Sequence, residues 1–297
     1  MWVVNYRKIF YSISIVLVLA SIFSMIFWGL KPGIDFTGGT LIEVDYPSGR
    51  PDQTIITSGL SSIDKAVSVR LSGQTGYIVR MKEVNQEEKL AVMNVLSENN
   101  KNSMVEKTFD SIGPVLGAEA MRKSLVSIVL VILGIVLYIT FAFRKVSEPV
   151  KSWKYGLVAI IALIHDVIIP TGLFAILGHY LGYEVDTLFV TALLVILGFS
   201  VHDTIVVFDR VRENLRHSLG HKPFASIVGE SISQTFTRSI NTSLTTLIAL
   251  IVLYFVGGSI TEHFSLALIV GIAAGTYSSI FIGSPLLVTL EAWARRK

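Results

Sequence analysis

Five ionisable residues interrupt the apolar stretches of this 297-residue chain, namely His165, Asp166, His202, Asp203 and Arg238. Inserting one such side chain into a lipid-spanning helix costs about 2.5–3.5 kcal/mol, so each needs a compensating interaction or a function. A carboxylate near a guanidinium or an imidazole in a low-dielectric bundle changes its protonation with its surroundings. The five residues therefore predict a proton-responsive site inside a membrane.

Asp203 is the strongest candidate among them. It lies about seven residues, or about 10 Å of helix, before Arg210 and Arg212, which should mark the membrane surface. If the next helix begins near Ser231, Arg238 lies at a similar depth, and two antiparallel helices would bring the two charges together. A permanent structural ion pair, or charges that snorkel to the surface, would fit the same residues.

The pair His165-Asp166 repeats His202-Asp203. We expect Asp166 to line the same interior path as Asp203, with the histidines taking part. The alternative is that neighbouring hydroxyl groups simply satisfy the imidazoles. Pro170, one turn beyond Asp166, removes a backbone hydrogen bond and allows a bend.

Composition explains where these residues must lie. Hydrophobic residues make up 52% of the chain and charged residues only 16%, against about 25% in typical globular proteins. Six stretches approach the roughly twenty residues that cross a bilayer. The predicted spans are Ile9–Leu30, Ser124–Phe143, Tyr155–Leu177, Thr187–Phe208, Ile240–Val256 and Phe264–Leu290. The fifth is short unless its helix begins earlier and takes in Arg238.

Lysine and arginine cluster at both ends of the chain and in the second and fourth connections. The positive-inside rule then places both termini in the cytoplasm and residues 31–123 outside. We expect 1–30 to be an uncleaved anchor, 31–123 an extracytoplasmic domain, and 124–297 the remaining five spans. The basic residues concerned are Arg7, Lys8, Arg144, Lys145, Lys151, Lys154, Arg210, Arg212, Arg216, Lys222, Arg295, Arg296 and Lys297.

The periodicity between the first two spans is that of a small α+β domain. Its predicted order, βαββαβ, is typical of a ferredoxin-like fold. Asn85 and Glu88 predict a capping box at the second helix. The elements are Thr40–Tyr46, Pro51–Ile63, Ala66–Leu71, Tyr77–Met81, Asn85–Ser97 and Met104–Ile112. The predicted fold class is therefore a membrane α-helical protein with one extracytoplasmic α+β domain, which we interpret as a binding or interaction module.

Several kinds of chemistry are not indicated. The chain has no cysteine, which excludes disulfides, thiolate metal sites and a cysteine nucleophile. No phosphate-binding loop or metal-ligand set is recognisable, so we expect neither a cofactor nor enzymatic activity. The net charge is only +3, and the excess lysine and arginine residues lie beside apolar runs instead of forming a basic face. This pattern favours contact with lipid over contact with nucleic acid. Gly271 and Gly275 permit close helix approach, for packing or for a partner.

Several motifs carry a family resemblance. They are Gly33–Gly39 with its Gly38-Gly39 pair, Phe109–Pro114, Val201–Asn214, Arg238–Ser243 and Gly275–Phe281. These motifs occur in the same order along nearly the whole chain as in the SecF family, and the chain therefore resembles that family. Its members are the smaller membrane subunits of the bacterial SecDF translocase accessory complex.

The resemblance implies a function. SecF-like proteins belong to the proton-coupled resistance–nodulation–division class and pair with SecD in the bacterial inner membrane. The resemblance implies work with the SecYEG channel, after the ATP-driven step of SecA, to draw preproteins outward with the proton-motive force; a YidC-type insertase is a further implied partner. By match to the motifs, Asp203 is the proton-responsive carboxylate and Arg238 its basic partner. His202 departs from the asparagine expected there.

Two other functions remain open from the sequence. One is a proton-coupled exporter of small molecules or lipids from the same superfamily, which would need a second set of six spans. The other is a structural scaffold for the channel, in which the buried charges serve only for assembly. Replacing Asp203 by asparagine separates them from the proton-driven function.

Overall fold

The computed structural model describes residues 2–98, 102–144, 152–218 and 222–294. Among the basic residues used for orientation, Lys145, Lys151 and Arg295–Lys297 lie outside the described residues. The chain divides into two compact units. One is Pro32–Leu125, and the other combines the described parts of Met1–Lys31 and Val126–Lys297.

Helices make up most of the chain. In chain order they are α1 Trp2–Asn5, α2 Arg7–Trp28, α3 Ile34–Thr37, α4 Gln53–Leu60, α5 Gln86–Leu96, α6 Pro114–Ala142, α7 Ser152–Leu181, α8 Thr187–Ser218, α9 Phe224–Val256, α10 Ser259–Ser278 and α11 Ser284–Ala294. A π-helical turn, Ser279–Gly283, joins α10 to α11.

The six predicted spans are confirmed in number within the described residues. They correspond to α2, α6, α7, α8, α9 and the combined stretch Thr261–Ala294. The fifth helix begins at Phe224, well before the predicted Ile240, and takes in Arg238. Apolar periodicity alone missed this start because the first turns of α9 carry many serine and threonine residues.

The membrane unit is packed around α8 and the sixth span. Their most apolar windows are 56% and 67% buried, whereas the window of α6 is only 6% buried. Near one end of the unit, the Tyr155 ring stacks on Phe143 with centroids 5.3 Å apart and meets Phe208 edge-on. A second apolar cluster includes Phe174 and Phe189. One of the two most enclosed spans, α8, therefore carries the buried Asp203.

The Pro32–Leu125 unit, named the outer unit after its predicted position, contains one four-stranded sheet. Its strands are β1 Gly39–Asp45, β2 Ser68–Ser72, β3 Gly76–Met81 and β4 Val105–Ile112. The order is β2-β3-β1-β4, with every pair antiparallel. This confirms the predicted ferredoxin-like arrangement.

The sheet and its two helices enclose an apolar core. Ile42 and Val79 are paired across β1 and β3 and are fully buried, as are Leu60 of α4 and Leu96 of α5. The predicted capping box is present, with Asn85 accepting from the Glu88 backbone N–H at 2.8 Å. The outer unit therefore has an apolar core of its own, and its second helix starts at a satisfied cap.

The Gly38-Gly39 pair has a conformational reason. Both residues have positive φ, +74° and +124°, a region that side chains rarely adopt. A Cβ on Gly38 would lie 2.7 Å from Pro114 Cα, and one on Gly39 would lie 2.8 Å from Met81 O. Only glycine therefore allows this segment to pass between β3 and the first turn of α6.

Candidate functional site

Asp166 is at the centre of a buried hydrogen-bonded cluster. Its side chain, on α7, is fully buried. Oδ2 accepts a hydrogen bond from the Ser200 hydroxyl of α8 at 2.5 Å and another from Ser278 of α10 at 2.8 Å. Oδ1 lies 2.8 Å from Nδ1 of His165. One carboxylate thus joins three membrane helices.

His165 occupies an enclosed position beside this carboxylate. Its ring lies against Tyr277 at 6.3 Å between centroids and 19° between planes. The Tyr277 hydroxyl donates to the Phe10 carbonyl oxygen at 3.0 Å. The other imidazole nitrogen, Nε2, is buried and has no hydrogen-bond partner among the described residues. The His165 and Asp166 side chains are therefore joined through Nδ1 and Oδ1 alone.

Two glycines bring α10 close enough for these bonds. A Cβ on Gly271 would overlap the Ile196 side chain of α8. A Cβ on Gly275 would lie 3.0 Å from Ser200 Cβ and 3.5 Å from Asp166 Oδ2. The small residues predicted to permit close helix approach thus face α8 of the same chain.

Asp203 has different surroundings. It is buried on α8, only 4% exposed, and its Oδ2 has no hydrogen-bond partner among the described residues. Its electrostatic neighbours are Ser239, His202 and Arg238. The Ser239 hydroxyl is buried too, but it does not reach hydrogen-bond geometry with any described group. A buried carboxylate oxygen without a partner is costly as an anion, which makes this site sensitive to protonation.

Arg238 and His202 lie on the exposed surface of the chain. Arg238 lines a polar cleft of about 320 Å³ between α8 and α9, together with Glu213 and Gln234. Within the described part of the chain it makes no ion pair with Asp203 at 4.0 Å or less. The predicted partners, Asp203 and Arg238, are therefore electrostatic neighbours that form no ion pair.

Hydroxyl groups are the part of the site that sequence reasoning missed. Thr204 and Ser279 lie 3.0 Å apart, linking α8 to the sixth span. Ser243 of α9 and Thr276 of α10 lie 2.6 Å apart. Sequence reasoning allowed hydroxyls to satisfy the histidines, whereas those of Ser200 and Ser278 bond Asp166. The sequence feature that could have predicted these hydroxyl contacts is the high density of serine and threonine in the membrane helices.

The outer unit has a separate open cleft of about 660 Å³ beside Gly38 and Gly39. Asp64 lies on its rim and accepts from the Lys82 backbone N–H at 2.7 Å. That bond, with a second from the Ala66 N–H, holds the pKa of Asp64 below its usual value. No group of three or more metal-ligating side chains occurs among the described residues of either unit.

Two known protein families match parts of this chain. The family described as "Protein export membrane protein SecD/SecF, C-terminal" matches residues 91–293, and the SecD/SecF GG motif matches residues 23–46. Protein translocase subunit SecF of Thermobaculum terrenum is 42% identical over 301 residues, which cover 97% of this chain and 93% of that relative.

Longer proteins also contain this sequence pattern. Protein translocase subunit SecDF of Thermus thermophilus is 34% identical over 312 residues, covering 100% of this chain and 40% of that relative. A crystal structure of Thermus SecDF, a translocon-associated membrane protein, superposes with a TM-score of 0.83 at 31% identity. The match covers 99% of this chain and 38% of the SecDF chain.

Proposed function

This chain belongs to the SecF family of protein export membrane proteins, and we propose that it uses the proton-motive force to promote preprotein export. In this proposal it works with SecD at the SecYEG channel, after the ATP-driven step of SecA. A YidC-type insertase is a further proposed partner. The multi-pass helices and the naming of its relatives as translocase subunits favour transport over catalysis.

One observation carries the proposal: one turn of α8 carries the buried carboxylate of Asp203 and also the hydroxyl that bonds the second buried carboxylate, Asp166. Ser200 donates to Asp166, and Asp203 follows Ser200 by three residues, on the same face of α8. A change at Asp203 therefore acts on the helix turn that holds Asp166. Buried carboxylates so placed are expected at a site that binds and releases protons.

Protonation has a direct mechanical consequence in this arrangement. A neutral Asp203 loses its attraction to Arg238, which frees α9 relative to α8. A neutral Asp166 accepts the Ser200 and Ser278 hydrogen bonds more weakly, which loosens α8 and α10 from α7. A proton crossing 100 mV releases about 2.3 kcal/mol, enough to shift a two-state equilibrium about fiftyfold.

The exposed polar residues support a partner within the membrane. Arg238 and His202 lie on the chain's surface, each next to the apolar part of its helix. Lipid would reject a guanidinium at that depth, so a second set of membrane helices is expected to cover it. The SecDF relatives, in which this chain matches 40% of the length, point to SecD as that partner.

The proposed orientation follows from charge. Arg210, Arg212 and Lys222 would lie on the cytoplasmic side of the bacterial inner membrane, with both termini. Residues 1–30 would hold the first span and 124–297 the other five. Residues 31–123 would then lie outside, where proton-driven helix movement would change the position of this α+β domain relative to an emerging preprotein.

The test is Asp203→Asn in the full chain, with Asp209→Asn as the matched control. Asp209 lies on the same helix but is exposed and paired with Arg212 at 2.5 Å. Proton-motive-force-dependent preprotein release from membrane vesicles should fall about 100-fold in the first variant and within twofold in the control. Co-purification of SecD should be normal in both. Unchanged release with normal assembly would overturn the proposal, and failed assembly would favour the scaffold function.

A further inference from the structure

The sixth span contains a local irregularity that the sequence explains. In a regular α-helix the backbone N–H of residue 285 would donate to the carbonyl of Phe281, but Pro285 has no N–H and its ring would clash with that carbonyl. The chain instead widens into the π-helical turn Ser279–Gly283. The Ser284 hydroxyl donates to the Ser279 carbonyl oxygen at 3.3 Å across this turn. Such turns are frequent at functional sites.

The helix segment before the turn is held by the Asp166 cluster. Ser278 donates to Asp166 Oδ2 at 2.8 Å, and Ser279 lies 3.0 Å from Thr204. Gly275 packs against Ser200. These contacts fix which residues of α10 face α7 and α8. The Asp166 cluster therefore depends on the rotational register of α10.

The helix segment after the turn is held independently. Thr289 Oγ1 lies 3.2 Å from the Tyr11 hydroxyl of α2, and Lys154 Nζ donates to the Leu290 carbonyl oxygen at 3.5 Å. Leu287 and Val288 are buried in the main apolar cluster of the membrane unit. The register of α11 is therefore set by contacts other than those of α10.

The π turn reconciles the two registers. It takes up one residue more than an α-helical turn, and one residue of helix corresponds to about 100° of rotation and 1.5 Å of rise. If the span became regularly α-helical with α11 in place, Ser278 and Ser279 would rotate away from Asp166 and Thr204. If α10 stayed in place, Thr289 would instead rotate away from Tyr11.

We propose that Pro285 is a positioning residue for the Asp166 cluster: by maintaining the π turn, it lets Ser278 and Ser279 bond two different helices while α11 stays packed. The proposal rests on the proposed function for its consequence in export, since Ser278 acts on the carboxylate assigned to proton coupling. Its structural part, the control of helix register, stands apart from that function.

Register can be measured directly because the chain has no cysteine of its own. Two reporter pairs are introduced separately into the full chain: Thr204→Cys with Ser279→Cys for disulfide formation, and Tyr11→Cys with Thr289→Cys for a short bifunctional thiol reagent. Both pairs should cross-link when Pro285 is present. With Pro285→Ala, one of the two pairs should lose most of its cross-linking. Persistence of both would overturn the proposal.

The functional arm is a double-substitution cycle. Pro285→Ala and Ser278→Ala should each lower proton-dependent export about tenfold, the size expected for one hydrogen bond to a charged group. If Pro285 acts through Ser278, the double variant should be no worse than either single one. If the loss of export in the double variant equals the product of the two single losses, the positioning role of Pro285 is overturned.

The controls separate the two proposals. Pro223→Ala removes the proline that precedes α9, far along the chain from the π turn, and should stay within twofold. Should Pro285→Ala fail to accumulate in membranes, Pro285→Ser restores the same backbone N–H with a residue suited to this polar stretch. An unchanged export rate in Ser278→Ala would contradict the proposed function, while the cross-links would still decide whether Pro285 sets the register.

Discussion

His165-Asp166 and His202-Asp203 are the same dipeptide on consecutive membrane helices, yet their carboxylates are held differently. Asp166 is enclosed by two hydroxyl donors and an imidazole. Asp203 is buried with one oxygen unpartnered among the described residues. A satisfied buried carboxylate holds helices together, whereas an unsatisfied one is poised to change protonation. The comparison indicates that Asp166 sets the helix packing in addition to its proposed proton role, whereas the proposed role of Asp203 is in protonation alone.

The largest contrast is expected between the two asparagine substitutions. Asp166→Asn should lower the stability of the membrane unit by about 2 kcal/mol, because it weakens several hydrogen bonds at once. Asp203→Asn should not destabilise the membrane unit, because Oδ2 has no bond to lose and the substitution removes a buried charge. Both should reduce export about 100-fold. Thermal unfolding of purified protein checks the stability difference, and equal destabilisation would break the comparison.

Helix spacing around Asp166 gives the next effect. Gly275→Leu should separate α10 from α8 and cost about 1–3 kcal/mol, since a side chain there would collide with Ser200. Gly134→Leu on α6 is the matched control, because a Cβ at that position meets nothing within 4 Å. Thermal unfolding of both variants is the measurement. Equal stability of the two would show that the close approach is not required.

A smaller effect is expected from single hydroxyl groups. Ser278→Ala removes one donor to Asp166 and should cost about 1 kcal/mol. Ser239→Ala, beside Asp203, should stay within about 0.5 kcal/mol because Ser239 Oγ has no bond among the described residues. The infrared carboxyl bands of the purified variants, assigned with the asparagine substitutions, should shift for Asp166 only in Ser278→Ala. A shift of the Asp166 band in both would contradict the separation of the two carboxylates.

The smallest effect is expected at the histidines. His202→Asn should leave export within twofold, since the ring lies on the surface and has no hydrogen bond in the described part of the chain. His165→Asn should lower export several-fold more, because His165 is buried against Asp166 and Tyr277. Export is measured for both variants at equal protein abundance. A larger loss of export in His202→Asn than in His165→Asn would contradict this ranking of the two histidines.

Much of the fold followed from local patterns. Hydropathy predicted six spans, and the alternation between Thr40 and Ile112 predicted the βαββαβ unit, because a buried face imposes its period on the sequence. For the fifth span, the apolar stretch alone began at Ile240 and an earlier start that takes in Arg238 was left open; α9 begins at Phe224. The early turns of α9 are polar but still helical, because neighbouring helices enclose them. A hydropathy profile cannot detect burial against other parts of the protein.

By itself, the sequence determined which residues could respond to protons, because any ionisable side chain in an apolar span is expensive. Only the tertiary structure decided their surroundings. The two identical dipeptides differ because Gly275 lets Ser278 approach and bond Asp166, while Ser239 beside Asp203 forms no hydrogen bond of standard geometry. Such differences depend on helix rotation and on helix spacing to within about an ångström. Both are set by packing between residues far apart in the sequence, so a local stretch of sequence does not reveal them.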